Sequence, residues 1–364
     1  MQSFEKLRRR NQEFQLLETI KQIGVSNYSL LGRMVGLNPE TVRYKVNNQL
    51  ARYGLGIQVN LNYTELGMAV GLLSVKADPA RPRSWLDSVS YLSFVGKVVG
   101  ADQYFCTYAV PFRFKKKYLD LIASLKDQRI IEEFEAIEAQ WIRNPSFRPE
   151  FDDFDERRRV VAWRRVDMTM DEVGASCTDV NRDAEVDYID LRILRSMQVA
   201  PTVSLAKIAK EIDANARTLR YHHAEHVVKK KLILNSNIRW RKAELEGKQS
   251  ELMQTVVSFK DLKREDMEPV RKLLNRIPFT WFEAGSEGGG YYAFLDIPID
   301  RFHETIGYVE THADKMKEHL SIRMLDAAKS HALVLPDEMF DPKRGWTLPN
   351  YAQEMAELAG ERRT

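Results

Sequence analysis

The chain has 364 residues, 44% hydrophobic and 29% charged, with a net charge of +3. That length fits two or more domains of a globular, soluble kind, and a total charge this small does not identify a nucleic-acid binder, so any electrostatic footprint must be local. No run approaches the roughly 20 apolar residues of a membrane helix, the N-terminus lacks the apolar core of a secretory signal, and Cys106 and Cys177 alone make neither a disulfide scaffold nor a cysteine-zinc site; the expected setting is cytoplasmic, with no membrane contact.

Three helices are predicted first, about 11–23, about 29–35, and a third opening at Asn38-Pro39, an N-cap residue ahead of a proline at the first helical position. The third carries "TVRYKVNNQLARYGL", Thr41 to Leu55, and "GIQVNLNY" then alternates as a wing would. From Met68, "MAVGLLSVKAD" reads as a strand, "RSWLDSVSYLSFV" as a helix, "KVVGADQYFCTYAV" as two strands around a turn, "FKKKYLDLIASLKDQ" as a helix and "IIEEFEAIEAQWI" as a final strand. That is βαββαβ, a ferredoxin-like unit. The polar stretch 168–185 reads as a linker.

The order then repeats. An offset of 177 residues holds without a gap from Asn11 to Leu55, aligning Leu17 with Leu194, Leu31 with Ile208, Val42 with Leu219 and Leu50 with Val227. "TLRYHHAEHVVKKKL", Thr218 to Leu232, answers the first basic helix, and Asn215 sits at its cap. "ILNSNIRW" follows as a second wing with an Asn-Ser-Asn turn, and a second βαββαβ pattern runs from Glu251 to Ala327. The exits also correspond, "PEFDDFDERR" against "PDEMFDPKRGW". The fold class is α+β: two winged helix-turn-helix domains (1–62 and 186–246) and two ferredoxin-like domains (63–148 and 247–334), with a tail and linker at 149–185 and a tail at 335–364.

A helix-turn-helix reader places its third helix in the major groove. Asn38, Thr41, Arg43, Tyr44, Lys45, Asn48 and Arg52 are the candidate contacts of the first copy; Asn215, Arg217, Thr218, Arg220, Tyr221, His222, His223, Lys229 and Arg239 are those of the second. Arginine suits guanine and asparagine suits adenine, while lysine and threonine also serve phosphates. Arg33, Lys207, Lys210, Lys230, Lys231 and Arg241 extend the phosphate footprint. The bland alternatives are solvated faces on protein-docking helices, and half-buried packing for Tyr44 and Tyr221. The basic run Arg157 to Arg165 reads as a solvated linker.

Winged helix, connecting strand and βαββαβ in this order resemble the Lrp/AsnC family of transcription regulators. "VNLNYTELGMAVGLLSVKAD" is similar to that family's hinge strand and first sheet strand, and "VVGADQYFCTYAV" to its strand-turn-strand. The resemblance covers most of the chain, taken twice, and implies a dimer fused into one polypeptide, an intrachain pseudo-dimer open to further homo-oligomerisation. It also implies a small-molecule effector near Gly100, Ala101 and Asp102, where a plain tight turn is the alternative. The two unequal third helices predict binding to double-stranded DNA at a pseudo-palindrome with unlike half-sites about 34 Å apart.

Other signals are weaker. His222 and His226 have a spacing that can hold zinc, but no third ligand is evident beside them, so no metal is expected, and no cofactor. Aromatics Tyr104, Phe105, Tyr108, Tyr291, Tyr292 and Phe294 on central strands are compatible with RNA stacking, without its basic-glycine-aromatic run. Some proteins resembling this family decarboxylate haem precursors, and His222, His223, His226, His303 and Arg301 are the comparable supply here. No nucleophile-base or carboxylate pair can be placed in a cleft, so the chain is expected not to be an enzyme. A protein-interaction module of the transcription machinery is the third alternative.

Overall fold

The structure is a computed structural model, and it describes residues 12, 15–25, 27–52, 55–78, 83–86, 89–145, 154–155, 160–161, 174–178, 180, 184–240, 244–245, 248–249 and 252–349.

The first helical unit comprises α1 (15–23), α2 (Tyr28–Val35) and α3 (Pro39–Tyr44). Asn27 and Asn38 cap α2 and α3, accepting from the Leu30 and Glu40 amides at 2.9 Å, which satisfies donors a helix start leaves free. Gly36, at φ +67°, ends α2 in the left-handed conformation. The third helix then widens into a π-helical segment, Lys45–Gln49, before a last turn, Leu50–Arg52. Val42, Val46 and Leu50 are buried, so one apolar stripe faces inward through the change of pitch.

Strand β1 (Leu55–Leu61) leads into β2 (Met68–Ala77), β3 (Leu92–Lys97), β4 (Gln103–Pro111), α4 (Lys115–Asp127), β5 (Ile131–Glu138) and β6 (Trp141–Arg143). A short β7 (Gly174–Ser176) precedes the second helical unit, α5 (Tyr188–Val199), α6 (Leu205–Glu211) and α7 (Ala216–Tyr221). Here too a π-helical segment follows, His222–Val228. Asp213, at φ +52°, takes the left-handed position that Gly36 holds in the first copy. The chain continues through β8 (Ile233–Trp240), β9 (Leu252–Phe259), α8 (Arg264–Leu274), β10 (Thr280–Gly285), β11 (Tyr291–Pro298), α9 (Phe302–His312), β12 (Leu320–Leu325) and β13 (His331–Ala332).

The two strands read as wings are not wings. β1 and β8 pair with each other, antiparallel, from Leu55 opposite Trp240 to Asn60 opposite Asn235, with a bulge before Leu61. The Asn-Ser-Asn run read as a turn lies inside β8, where Asn60 donates to Asn235 at 2.7 Å and Asn237 to the Pro145 carbonyl at 3.1 Å. Each strand alone has two bare edges, and pairing across the repeat covers one edge of each.

The sheets are antiparallel and mixed with helix. The first runs β13-β3-β4-β2-β5 and the second β12-β9-β11-β10-β6-β7. Within each, the four strands of one half follow the ferredoxin-like order. The first helix expected in the earlier sheet is reduced to a 3-10 turn, Arg83–Leu86, because "YLSFV" alternates with period two and runs as β3. Both exits form hairpins, Phe154–Asp155 with Val160–Val161 and Phe340–Asp341 with Gly345–Trp346.

Each half finishes the other's sheet. β6 leaves the first half to pair with β10, Arg143 opposite Glu283, and β7, inside the stretch read as a linker, adds outside it. In return β13 crosses to β3, His331 opposite Val95. The cores cross as well. Leu16, Leu17, Leu31, Val42 and Leu55 of the first helical unit share one buried cluster with Val257, Phe259 and Leu274 of the second sheet unit. Leu191, Leu194, Ile208 and Leu219 of the second helical unit share theirs with Val70, Phe105 and Ile122 of the first. Phe94 packs edge-on against Trp281 and Phe294, at 5.5 and 5.4 Å between ring centres, where the sheets meet. Among the described residues no helix is long and apolar enough to cross a membrane.

Candidate functional site

The two third helices present matched faces. Val42 and Leu219 are fully buried, and Thr41, Arg43 and Tyr44 around the one, with Arg217, Thr218, Arg220 and Tyr221 around the other, face solvent. Tyr44 is 49% and Tyr221 58% exposed, and Tyr221 also sets its ring edge-on against His222 and His226. Arg43 is free of strong pairing: its side chain is 62% exposed and lies 3.9 Å from Glu40. Asn48 is exposed, whereas Lys45 is half-buried and bonds Gln49 at 3.1 Å. Asn38 and Asn215 spend their side-chain oxygens as caps, Asn215 accepting from the Arg217 amide at 2.7 Å. Lys229 is exposed and paired to Glu225 at 2.8 Å. The side chain of Arg52, all of Arg241 and most of the Arg157–Arg165 run lie outside the described residues.

Three expected DNA contacts turn inward instead. Arg239 lies on β8 between the Gln58 oxygen at 2.5 Å, the Asp296 carboxylate at 3.4 Å and the face of Trp281 at 4.9 Å. Buried Asp296 needs a cation, and Arg239 is the one it has; its carboxyl is held above the usual range by burial, against the pull of Arg239. His223 is half-buried, and burial lowers its pKa. His222 points at Asp190, the Nδ1 to Oδ1 distance being 3.0 Å.

Asp190 is the residue whose role the sequence reading missed. It is fully buried and forms a capping box with Asp187 at the start of α5, each side chain accepting from the other's amide at 3.0 and 3.2 Å. His226 reaches the same carboxylate, Nδ1 lying 3.1 and 3.0 Å from its two oxygens. Asp187 lies 3.3 Å from His222 Nδ1 and 3.9 Å from His226 Nδ1. The signal was present as Asp-x-x-Asp ahead of an apolar helix, but nothing local ties it to histidines a whole helical unit away.

Two hollows flank the paired strands and the first sheet. One, of about 210 Å³, lies between β1, β3, β8 and β10 and is lined by Gln58, Asn60, Tyr63, Ser93, Asn144 and Arg239. Burial pushes the Tyr63 phenol up to about 12. The other, of about 290 Å³, has Ala101 and Asp102 in its wall with Ser74, Lys76, Glu133 and Glu135. Asp102 pairs with Lys97 at 3.1 Å, and Gly100, at φ +73°, makes the turn. The central-strand aromatics are all buried, Tyr104 through Phe294, so the sheets offer no stacking face to RNA.

No family model matches the chain, and no curated protein matches it. Its fold is that of a solved siroheme decarboxylase, NirDL: one structure, in complex with an iron-uroporphyrin III analogue, matches with a TM-score of 0.55 at 11% identity, over 96% of this chain and 100% of that one. A second structure of NirDL matches with a TM-score of 0.52 over 97% and 100%. The leucine response regulatory protein LrpA of Mycobacterium tuberculosis matches 35% of this chain and 89% of its own, at 16% identity and a TM-score of 0.26. The exclusion of enzymes drawn from the sequence is thereby overturned. An enzyme has this architecture from end to end, so the absence of a recognisable catalytic pair in the sequence does not separate the two.

Proposed function

We propose that the chain binds double-stranded DNA in the cytoplasm through two unequal recognition helices and regulates transcription. One observation carries the reading. At equivalent positions of α3 and α7, Thr41 and Thr218, Arg43 and Arg220, and Tyr44 and Tyr221 all face solvent, while the residue between them is fully buried. An exposed threonine, arginine and tyrosine are a set suited to phosphates and base edges, and a merely solvated face has no need of two large exposed aromatics. His222, His223 and Arg239 are not part of this interface. A small-molecule effector is assigned to the hollow beside Asp102.

The test is selection of genomic fragments by the purified protein at two salt concentrations, with Arg43→Ala/Arg220→Ala alongside. The expected result is a motif with two unlike half-sites, lost in the variant, each arginine contributing about 1–3 kcal/mol. Enrichment of no motif, with binding insensitive to salt and to the substitutions, overturns the reading in favour of protein docking.

A second reading is favoured by the end-to-end likeness to NirDL: binding and decarboxylation of a carboxylated tetrapyrrole. Arg239, the amide side chains Gln58, Asn60, Asn144 and Gln198, and the hydroxyls of Tyr63, Ser93 and Thr107 are among the polar groups of the hollow between the halves. At about 210 Å³ the hollow is smaller than the roughly 300–1,000 Å³ of ordinary ligand pockets, so the halves must part to admit such a ligand. Addition of an iron-uroporphyrin decides this reading: a shifted Soret band with carbon dioxide release supports it, and an unchanged spectrum removes it.

A further inference from the structure

We propose that Asp187, Asp190, His222 and His226 form a binding site for one divalent transition-metal ion of the zinc class, which fastens the π-helical segment after α7 to the start of α5 in the second helical unit only. These are the residues of that unit in which two imidazoles and two carboxylates converge, all four ligand atoms within 4.8 Å of one another.

The spacing fits the ion. Bonds of about 2.0–2.2 Å from a tetrahedral zinc to nitrogen and oxygen put neighbouring ligand atoms roughly 3.3 Å apart. The separations to Asp190 Oδ1 are 3.0 Å from His222 Nδ1 and 3.1 Å from His226 Nδ1, and those to Asp187 are 3.3 and 3.9 Å from the same nitrogens; the full set spans 4.8 Å, so binding draws the ligand atoms together by about an ångström. Imidazole with carboxylate is a donor set that zinc and its neighbours accept. Both rings offer the nitrogen on the same side, and Tyr221 packs edge-on against each at 5.8 and 5.6 Å, holding their orientation.

The charge fits as well. Two carboxylates, one of them fully buried, face two imidazoles whose centres are 4.7 Å apart. One divalent cation carries the charge that balances two carboxylates, and imidazole nitrogens complete a ligand set it accepts.

The first helical unit is an internal control. The residues 177 positions earlier are Arg10, Glu13, Lys45 and Gln49, a set without histidine, and there Lys45 bonds Gln49 at 3.1 Å. The same helical frame with the same π-helical segment therefore stands without the donor set, which makes the four residues of the second unit additional to what the fold requires.

The test uses the full chain, freed of metal by a chelator and titrated with Co²⁺ and then Zn²⁺, beside His222→Lys/His226→Gln, which gives α7 the pair the first unit already accommodates. The expected result is one Co²⁺ per chain with visible bands of tetrahedral coordination, displaced by Zn²⁺, a melting temperature raised by Zn²⁺, and at least a hundredfold weaker uptake by the variant. Where that variant does not fold, His226→Gln alone reads the same loss. No uptake by the wild-type chain, or equal uptake by a folded variant, leaves the four residues an ion-pair cluster and overturns the proposal.

Discussion

Val59 of the first repeat and Ser236 of the second face each other in the ladder between β1 and β8, and they are the same position of the two repeats, 177 residues apart. An approximate two-fold axis therefore passes between them. In a dimer of identical chains the residue on such an axis meets itself. Here a valine meets a serine, which two identical chains do not permit, and of the flanking pairs Gln58–Asn237 is unlike while Asn60–Asn235 sets asparagine against asparagine.

The crossing of strands and cores makes the covalent link between the halves dispensable for holding them together. Insertion of a protease site between residues 162 and 173, followed by cleavage, is expected to leave both fragments eluting together at the size of the intact 42.3 kDa chain. Fragments that separate without denaturant contradict the exchange of β6, β7 and β13.

Asp337 is buried and receives Arg192 at 2.8 Å and Arg195 at 3.1 Å, tying the C-terminal segment to α5. Asp337→Asn keeps the shape and removes the charge. It is expected to destabilise the fold by roughly 1.5–3 kcal/mol, since the charge-assisted bond from Arg192 and the ion contact with Arg195 go. Denaturant unfolding checks it, and a change below about 0.5 kcal/mol contradicts the pairing.

Burial holds the Asp296 carboxyl above its usual range, against Arg239 and Gln254. The folded chain thus keeps that proton to higher pH than the unfolded chain, and this group's contribution to stability falls as pH rises through the folded pKa. Asp296→Asn, which carries no charge at any pH, is expected to gain on the wild type in melting temperature as pH rises from about pH 4 through the folded-state pKa. A difference that is flat or shrinks across that range contradicts the burial argument.

Cys106 and Cys177 are both buried, and burial, aided by Glu138, pushes the Cys177 thiol up to about 12. Neither is expected to react with a disulfide reagent at about pH 8 until the chain unfolds, because the thiolate is the reactive form. Stoichiometric labelling of the native protein contradicts this.

Gly285 lies where the halves join: a Cβ placed there would come 2.3 Å from the Trp141 ring of β6. Gly285→Ala is expected to cost about 1–3 kcal/mol through overpacking, with faster amide exchange in β6 than elsewhere in the second sheet. Unchanged stability would mean that Trp141 yields freely.

Much of this architecture is legible in residue patterns that act locally. Asn38-Pro39 and Asn215 announce two helix starts, and the apolar series Val42, Val46 and Leu50 follows from spacing alone. Partners distant in the chain are another matter. The alternation of "GIQVNLNY" predicts a strand and is silent on whether its edge meets a wing or β8. Arg239 looks like a phosphate contact until Asp296, 57 residues on, claims it. His222 and His226 lack a visible third partner because Asp187 and Asp190 arrive from the start of α5, more than 30 residues earlier in the same unit. The missed features are those whose energy comes from desolvated pairing between remote segments, which no window of sequence contains.

The exchanged cores also set a timetable for synthesis. Leu16, Leu31 and Val42 share a buried cluster with Val257, Phe259, Leu274 and Met316, and that cluster is complete only when those later residues have been made. At about 5–20 residues per second, the first helical unit waits on the ribosome for on the order of 10–50 s before that cluster is complete. The order of synthesis therefore leaves that shared core to be completed by the last quarter of the chain.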